Sequence, residues 1–181
     1  LQAIDNSKTI TEKLLEAFPG YYGRFICLHF ARFLNEPVET ESQQYAYETI
    51  ISFLDNTPAL TLPRDLQEYL IEGTKHIGTE QITEIIEKTK KSIENPDDFL
   101  FANKEILDQY LAYKQSDGYK NSPAYKIMEF MKEFNSTSGY YDVFIPALKE
   151  LSSSYLEYYQ QLEIANKKLV AQYPEIEKMN S

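Results

Sequence analysis

The stretch from 20 to 35 limits the choice of fold more than any other. Tyr21, Tyr22, Phe25, Ile26, Leu28, Phe30, Phe33 and Leu34 fall on nearly every side of a helix. A helix that is apolar almost all round has to be central, with others packed about it. Pro19 stops the preceding helix and can serve as the first turn of this one. Asn35-Glu36-Pro37 ends it. Elsewhere apolar residues recur at three- and four-residue steps, the spacing of one helical face, and no stretch reads convincingly as a strand. The pattern predicts an all-α, bundle-like single globular domain of eight or nine helices.

Local signals place those helices. Thr9-Ile10-Thr11-Glu12 reads as a capping box ahead of Ile10, Leu14, Leu15 and Phe18. A third helix runs from about Glu41 to Asp55, with Tyr45, Tyr47, Ile50, Ile51 and Leu54 on its inner face. Pro63 opens a fourth, with Gly78 as its C-cap, and Thr79 caps a fifth carrying Ile82, Ile85, Ile86 and Ile93. Asp97 caps a sixth reaching about Gln115, and Asp117-Gly118 reads as a turn. Ser122-Pro123 starts a seventh, with Ile127, Met128, Phe130, Met131 and Phe134 as its stripe. The eighth contains Pro146, which removes a backbone donor and predicts a kink or a restart. Ser152-Ser153-Ser154 caps a long last helix with the stripe Tyr155, Tyr158, Leu162, Ala165 and Leu169, ended by Tyr173-Pro174. No fixed-period array accompanies these segments, which argues against a solenoid.

Composition narrows function. The chain has 181 residues, enough for one domain with a sizeable core, and a formal charge of −10 from 28 acidic and 18 basic residues. Its densest basic cluster, Lys88, Lys90 and Lys91, is interleaved with Glu84, Glu87 and Glu94 and reads as a solvated helix face. No direct nucleic-acid contact by this segment is expected. No apolar run approaches a membrane span, so no membrane partner is expected either. One cysteine, Cys27, cannot form a disulfide within the chain, which fits a reducing cytoplasm. Only two histidines occur, His29 and His76, and no triad, nucleophile elbow or Cys/His metal spacing surrounds them. The chain is therefore read as a non-enzyme with no catalytic residue, no metal site and no cofactor.

Tyrosine stands out: 15 residues, against no tryptophan. Four of them belong to a heptapeptide that occurs twice. Gly20-Tyr21-Tyr22-Gly23-Arg24-Phe25-Ile26 returns as Gly139-Tyr140-Tyr141-Asp142-Val143-Phe144-Ile145, with five of seven positions identical. Each copy opens a helix and gathers rings at its entrance. The glycine lets backbone or ligand approach, and a helix N-terminus favours anionic groups. Tyr21, Tyr22, Phe25, Tyr140, Tyr141 and Phe144 are thus candidate ligand-binding residues, together with His29, seven residues after Tyr22 on the same face. Core packing is the competing reading of the same rings. Arg24, His29 and Arg32 interrupt the apolar helix, and a buried basic group needs a partner. That partner is either a carboxylate such as Asp142 or Glu16, or an acidic group on a ligand.

Three stretches resemble the C-terminal region of certain MerR-type bacterial transcriptional regulators: Phe18-Pro19-Gly20-Tyr21-Tyr22-Gly23-Arg24-Phe25, Asn135-Ser136-Thr137-Ser138-Gly139-Tyr140-Tyr141, and Tyr173-Pro174-Glu175-Ile176. The resemblance implies an effector-binding domain, of the all-α kind found in the antibiotic-recognition class. It also implies that DNA is read by an N-terminal winged helix-turn-helix and that the intact protein is a homodimer. The family's cysteine metal ligands have no match beyond Cys27. Starting at Leu1 rather than methionine, the chain is expected to be a fragment lacking that upstream domain. Two other readings stay open: a helical protein-interaction or dimerisation module working through the last helix, and a cell-surface or lipid-anchored helical binder whose signal has been cleaved.

Overall fold

The computed structural model describes residues 2–179, which contain helices and no strand. In chain order they are α1 (Gln2–Ala17), α2 (Tyr21–Ala31), α3 (Glu41–Asn56), α4 (Arg64–Thr74), α5 (Thr79–Glu94), α6 (Pro96–Ala102), α7 (Lys104–Gln115), α8 (Asp117–Lys120) and α9 (Pro123–Thr137). A π-helical turn (Tyr140–Phe144) then runs into α10 (Ile145–Leu151), followed by α11 (Ser153–Gln172) and α12 (Glu175–Met179). The all-α expectation holds, but the described residues form twelve α-helices rather than eight or nine.

The extra helices come from short breaks that the apolar pattern passes over. The stretch 97–115 is not one helix. Asn103, at φ −114° and ψ 18°, leaves the helical region and divides α6 from α7. The Asp117-Gly118 turn is the single-turn helix α8, capped by the Ser116 hydroxyl, which accepts from the Tyr119 N–H at 3.2 Å. Several expected caps also move. Thr9 lies inside α1, where its hydroxyl donates to the Asp5 carbonyl at 2.9 Å, so there is no capping box there. Gly78 is the N-cap of α5 rather than the C-cap of α4, and Thr79 is the first residue of α5. Asp97 sits in the first turn of α6 behind Asn95 and Pro96. The reading of Ser122-Pro123 is right: the Ser122 hydroxyl accepts from the Tyr125 N–H at 3.3 Å, with Pro123 at the first helical position.

The main core lies between α1, α3, α10, the end of α2 and the start of α11, with Leu14, Ile50 and Leu148 fully buried in it. Its centre is α10 rather than α2. Ile145, Ala147, Leu148 and Leu151 of α10 are all buried, whereas α2 buries only Gly23 and Phe30. On α2, Arg24 is exposed, and the remaining ring and aliphatic side chains apart from Phe30 are only half-buried. On α3 the inner face is Ala46, Ile50 and Leu54, and Tyr45 points outward. Capping the start of α11 is Ser152, itself 0% exposed, whose hydroxyl accepts from the Tyr155 N–H at 3.2 Å. The Glu36 carboxylate reaches the same helix start and accepts from the Ser153 and Ser154 N–H groups at 3.0 and 2.9 Å. Two smaller clusters stand apart. One joins Leu62 and Leu66 to Ile127 and Tyr22; the other joins Leu100, Leu111 and Tyr173 to Leu169 and Ile176. Between those satellites the stripes of α7 and α9 are incompletely covered: Ile106, Tyr110, Tyr113, Met128 and Phe130 remain exposed.

Candidate functional site

Both repeated heptapeptides open helices, and both glycines are needed for their backbone. Gly20 (φ 77°) and Gly139 (φ 91°) are the positive-φ residues among those described. A Cβ on Gly20 would meet nothing within 4 Å, so its role is conformational rather than one of close approach. The close approach belongs to Gly23, where a Cβ would stand 1.6 Å from the Phe18 carbonyl oxygen. That contact lets α2 fold directly back on the end of α1.

The seven candidate residues do not converge on one pocket. Tyr21 contacts Tyr22 and Phe25, with ring centroids 5.7 and 6.3 Å apart; all three are half-buried, and Tyr22 packs on Leu62, Leu66 and Ile127. Tyr140 stacks on Phe144 at 5.4 Å, and Phe144 meets Phe30 at 5.4 Å and Phe53 at 5.6 Å. Phe144 is 1% exposed, so it is a core residue and has no surface to offer a ligand. Tyr140 is packed against the same core, and burial pushes its hydroxyl pKa well above the ordinary value. His29 lies among Phe30, Phe33 and Tyr158, with centroids 4.9 to 5.9 Å away. Among the described residues no ring contact joins the first trio to the second. Tyr22 and Tyr141, which is 56% exposed, line one open groove on α9 with Phe130 and Met131.

Among the described residues, Arg24 and Arg32 pair with backbone carbonyls, an imidazole and aromatic rings rather than with a carboxylate. Arg32 donates to the His29 carbonyl and to His29 Nδ1, at 3.2 and 3.3 Å, and its guanidinium lies 4.6 Å from the Phe33 ring centre and 5.0 Å from that of Tyr158. Since arginine only donates, Nδ1 is the accepting nitrogen of a neutral imidazole. Burial and then the Arg32 charge lower the His29 pKa to about 4. Arg24 donates to the Ile77 carbonyl at 3.2 Å, and Asp142 is exposed. The Cys27 thiol donates to the Thr11 carbonyl at 3.3 Å, and burial raises its pKa to about 11, which leaves it protonated and unreactive near neutrality.

A better-formed concavity lies where α7, α8, α9, α11 and α12 meet. It encloses about 600 Å³, within the range of small-molecule sites. Leu111, Met128, Leu169, Ile176 and Met179 make its apolar floor, and Tyr110, Tyr119 and Tyr125 its aromatic side. Tyr119 contacts Tyr113 and Tyr125 at 5.4 and 5.5 Å. Met128, Glu129 and Lys132 face both this cleft and the Tyr22–Tyr141 groove, so the two concavities share α9.

No family model, curated protein or solved structure matches this chain.

The residues of the cleft are absent from the heptapeptides. The signal that marks them is the density of tyrosine between 110 and 125, combined with helix stripes that no neighbour covers completely. Among the described residues no helix is long and apolar enough to cross a membrane, and no group of three or more His, Cys, Asp or Glu residues is placed to hold a metal. Lys88, Lys90 and Lys91 are exposed on α5 beside Glu84, Glu87 and Glu94, as their spacing predicts.

Proposed function

We propose that this chain is the effector-binding domain of a MerR-like transcriptional regulator, and that its effector is a small apolar or amphipathic molecule. The observation that carries the ligand part is the 600 Å³ cleft, with its apolar floor and tyrosine side. The MerR part rests on the three stretches beginning at Phe18, Asn135 and Tyr173. On this reading the protein works in the cytoplasm as a homodimer, and DNA is bound by a domain upstream of Leu1. Five helices surround the cleft, so a ligand seated there can favour one arrangement of them over another. It does so only to the extent that its affinity differs between the two. Pro146, next to the π-helical turn, is the point where such a rearrangement would reach the core.

Two experiments test this. Titration with neutral phenylnaphthylamine, whose emission rises on leaving water, should show saturable binding. Ile176→Asp should weaken it several-fold, and the pair Tyr22→Ala and Tyr141→Ala should leave it unchanged. Absence of saturable binding contradicts the sensing reading. Separately, the residues encoded ahead of Leu1 in the intact gene should form a winged helix and a coiled coil; any other domain there contradicts the MerR assignment.

A second reading, a helical interaction or dimerisation module, is favoured by Phe101, 91% exposed on α6, and by exposed Ile106 and Tyr113 on α7. The stripe of α11 offers less exposed apolar surface for such an interface. Tyr155 is buried in the core, and Leu162, Ala165 and Leu169 face α5 and α6 within the same chain. Phe101→Glu should abolish self-association on this reading, with sedimentation velocity as the measurement.

A further inference from the structure

The cleft carries an electrostatic feature that an apolar ligand would not use. In a chain of formal charge −10, its lining holds four lysines (Lys114, Lys120, Lys132 and Lys178) against two glutamates, Glu129 and Glu175. Lys132 is already engaged: it lies 3.8 Å from Glu129, and its ammonium donates to the Met179 carbonyl at 3.1 Å. Lys114 differs. Among the described residues no carboxylate pairs with it. Its ammonium donates to the Tyr119 hydroxyl at 2.8 Å and stands 4.3 and 5.3 Å from the ring centres of Tyr119 and Tyr110. It is half-buried at the edge of the apolar floor. Burial works against its charge, but hydrogen bonds with Tyr119 and Tyr110 outweigh that and raise its pKa, so it remains an ammonium at neutral pH. An ammonium withdrawn from water and held by neutral rings gains most from an anion delivered to it.

We propose that the cleft selects an amphipathic organic anion, a carboxylate or sulfonate on an aromatic or alkyl body. The anionic head binds Lys114, and the body lies against Leu111, Met128, Leu169 and Ile176. Tyr110 and Tyr119 act as positioning residues that hold the ammonium at the rim. This rests on the sensing reading and narrows its ligand class.

The test compares two probes of the same shape: anilinonaphthalene sulfonate, and phenylnaphthylamine, which lacks the sulfonate. The sulfonate should bind about tenfold more tightly than the neutral probe, as one charge-assisted hydrogen bond implies. Lys114→Met, which keeps the apolar stem, should remove that advantage and leave the neutral probe within about twofold of its starting affinity. Lys114→Arg should retain the advantage, which guards against a general loss of folding. Equal affinity for the two probes, or an advantage that survives Lys114→Met, overturns the anion proposal while the sensing reading stands. Failure of both probes to saturate overturns both.

Discussion

The two helix entrances share five residues of seven and use them differently. In the first copy the chain enters a regular α-helix, with the Arg24 N–H bonded to the Gly20 carbonyl at 3.1 Å. Phe25 and Ile26 are then only half-buried. In the second copy the Gly139 carbonyl accepts from both Val143 and Phe144, at 2.8 and 3.2 Å, and the turn widens to π geometry. The wider turn carries Phe144 and Ile145 together into the core, and regular α-helix resumes where Pro146 has no N–H to give. The fourth position separates the copies most clearly. It is Gly23 in the first, beneath the Phe18 carbonyl, and exposed Asp142 in the second. Identical letters thus specify a helix entrance, while the neighbouring elements decide whether its rings become core or surface.

This contrast yields graded expectations. Phe144→Ala should cost about 4 kcal/mol in urea unfolding, as a buried phenylalanine does, while Phe25→Ala should cost about 1–2 kcal/mol. Comparable losses would mean that both entrances are equally buried. Gly23→Ala should cost about 3 kcal/mol, because its Cβ cannot coexist with the Phe18 carbonyl, and Asp142→Ala should lie within about 0.5 kcal/mol of the parent.

Acid should separate the two sides next. His29, on the helix opened by the first copy, has its pKa lowered, so its contribution is complete above about pH 6.5 and is lost as pH falls toward 4. Glu36, just past α2, is also depressed: desolvation raises its pKa, but the Ser153 and Ser154 hydrogen bonds win and bring it to about 2. Its contribution is present above about pH 4.5 and fades toward pH 2. Hydrogen exchange at pH 4.5 should therefore show α2 losing protection before α10. The loss should be about 1–2 kcal/mol, after allowance for the partial exposure of His29, and largely absent in His29→Phe. A modest effect should be the same in both copies: Gly20→Ala and Gly139→Ala each cost about 1 kcal/mol, from positive φ.

Helix type and the apolar stripes were legible in the sequence because they depend on spacing alone. Ile10, Leu14, Ile50, Ile82, Ile86 and Ile127 are all buried as their periodicity implies. Helix ends were less legible. Asn103 breaks a continuous stripe through its backbone angles, and Thr9 has the look of a cap yet bonds a carbonyl inside a helix. The heptapeptide was visible, but its division into core and surface depends on the Phe18 carbonyl and on the π turn, neither of which is written in the residue types. The cleft was the least legible part. Lys114, Tyr125, Leu169 and Ile176 come from four separate segments, and only packing brings them together.

The three methionines allow a direct test of where a ligand sits. Met179 lines the cleft alone, Met131 the Tyr22–Tyr141 groove alone, and Met128 both. In methyl-labelled protein titrated with anilinonaphthalene sulfonate, the Met179 and Met128 resonances should shift together while Met131 stays in place. Movement of Met131 with Met179 unchanged would return the ligand to the repeated tyrosines and contradict the assignment of the cleft.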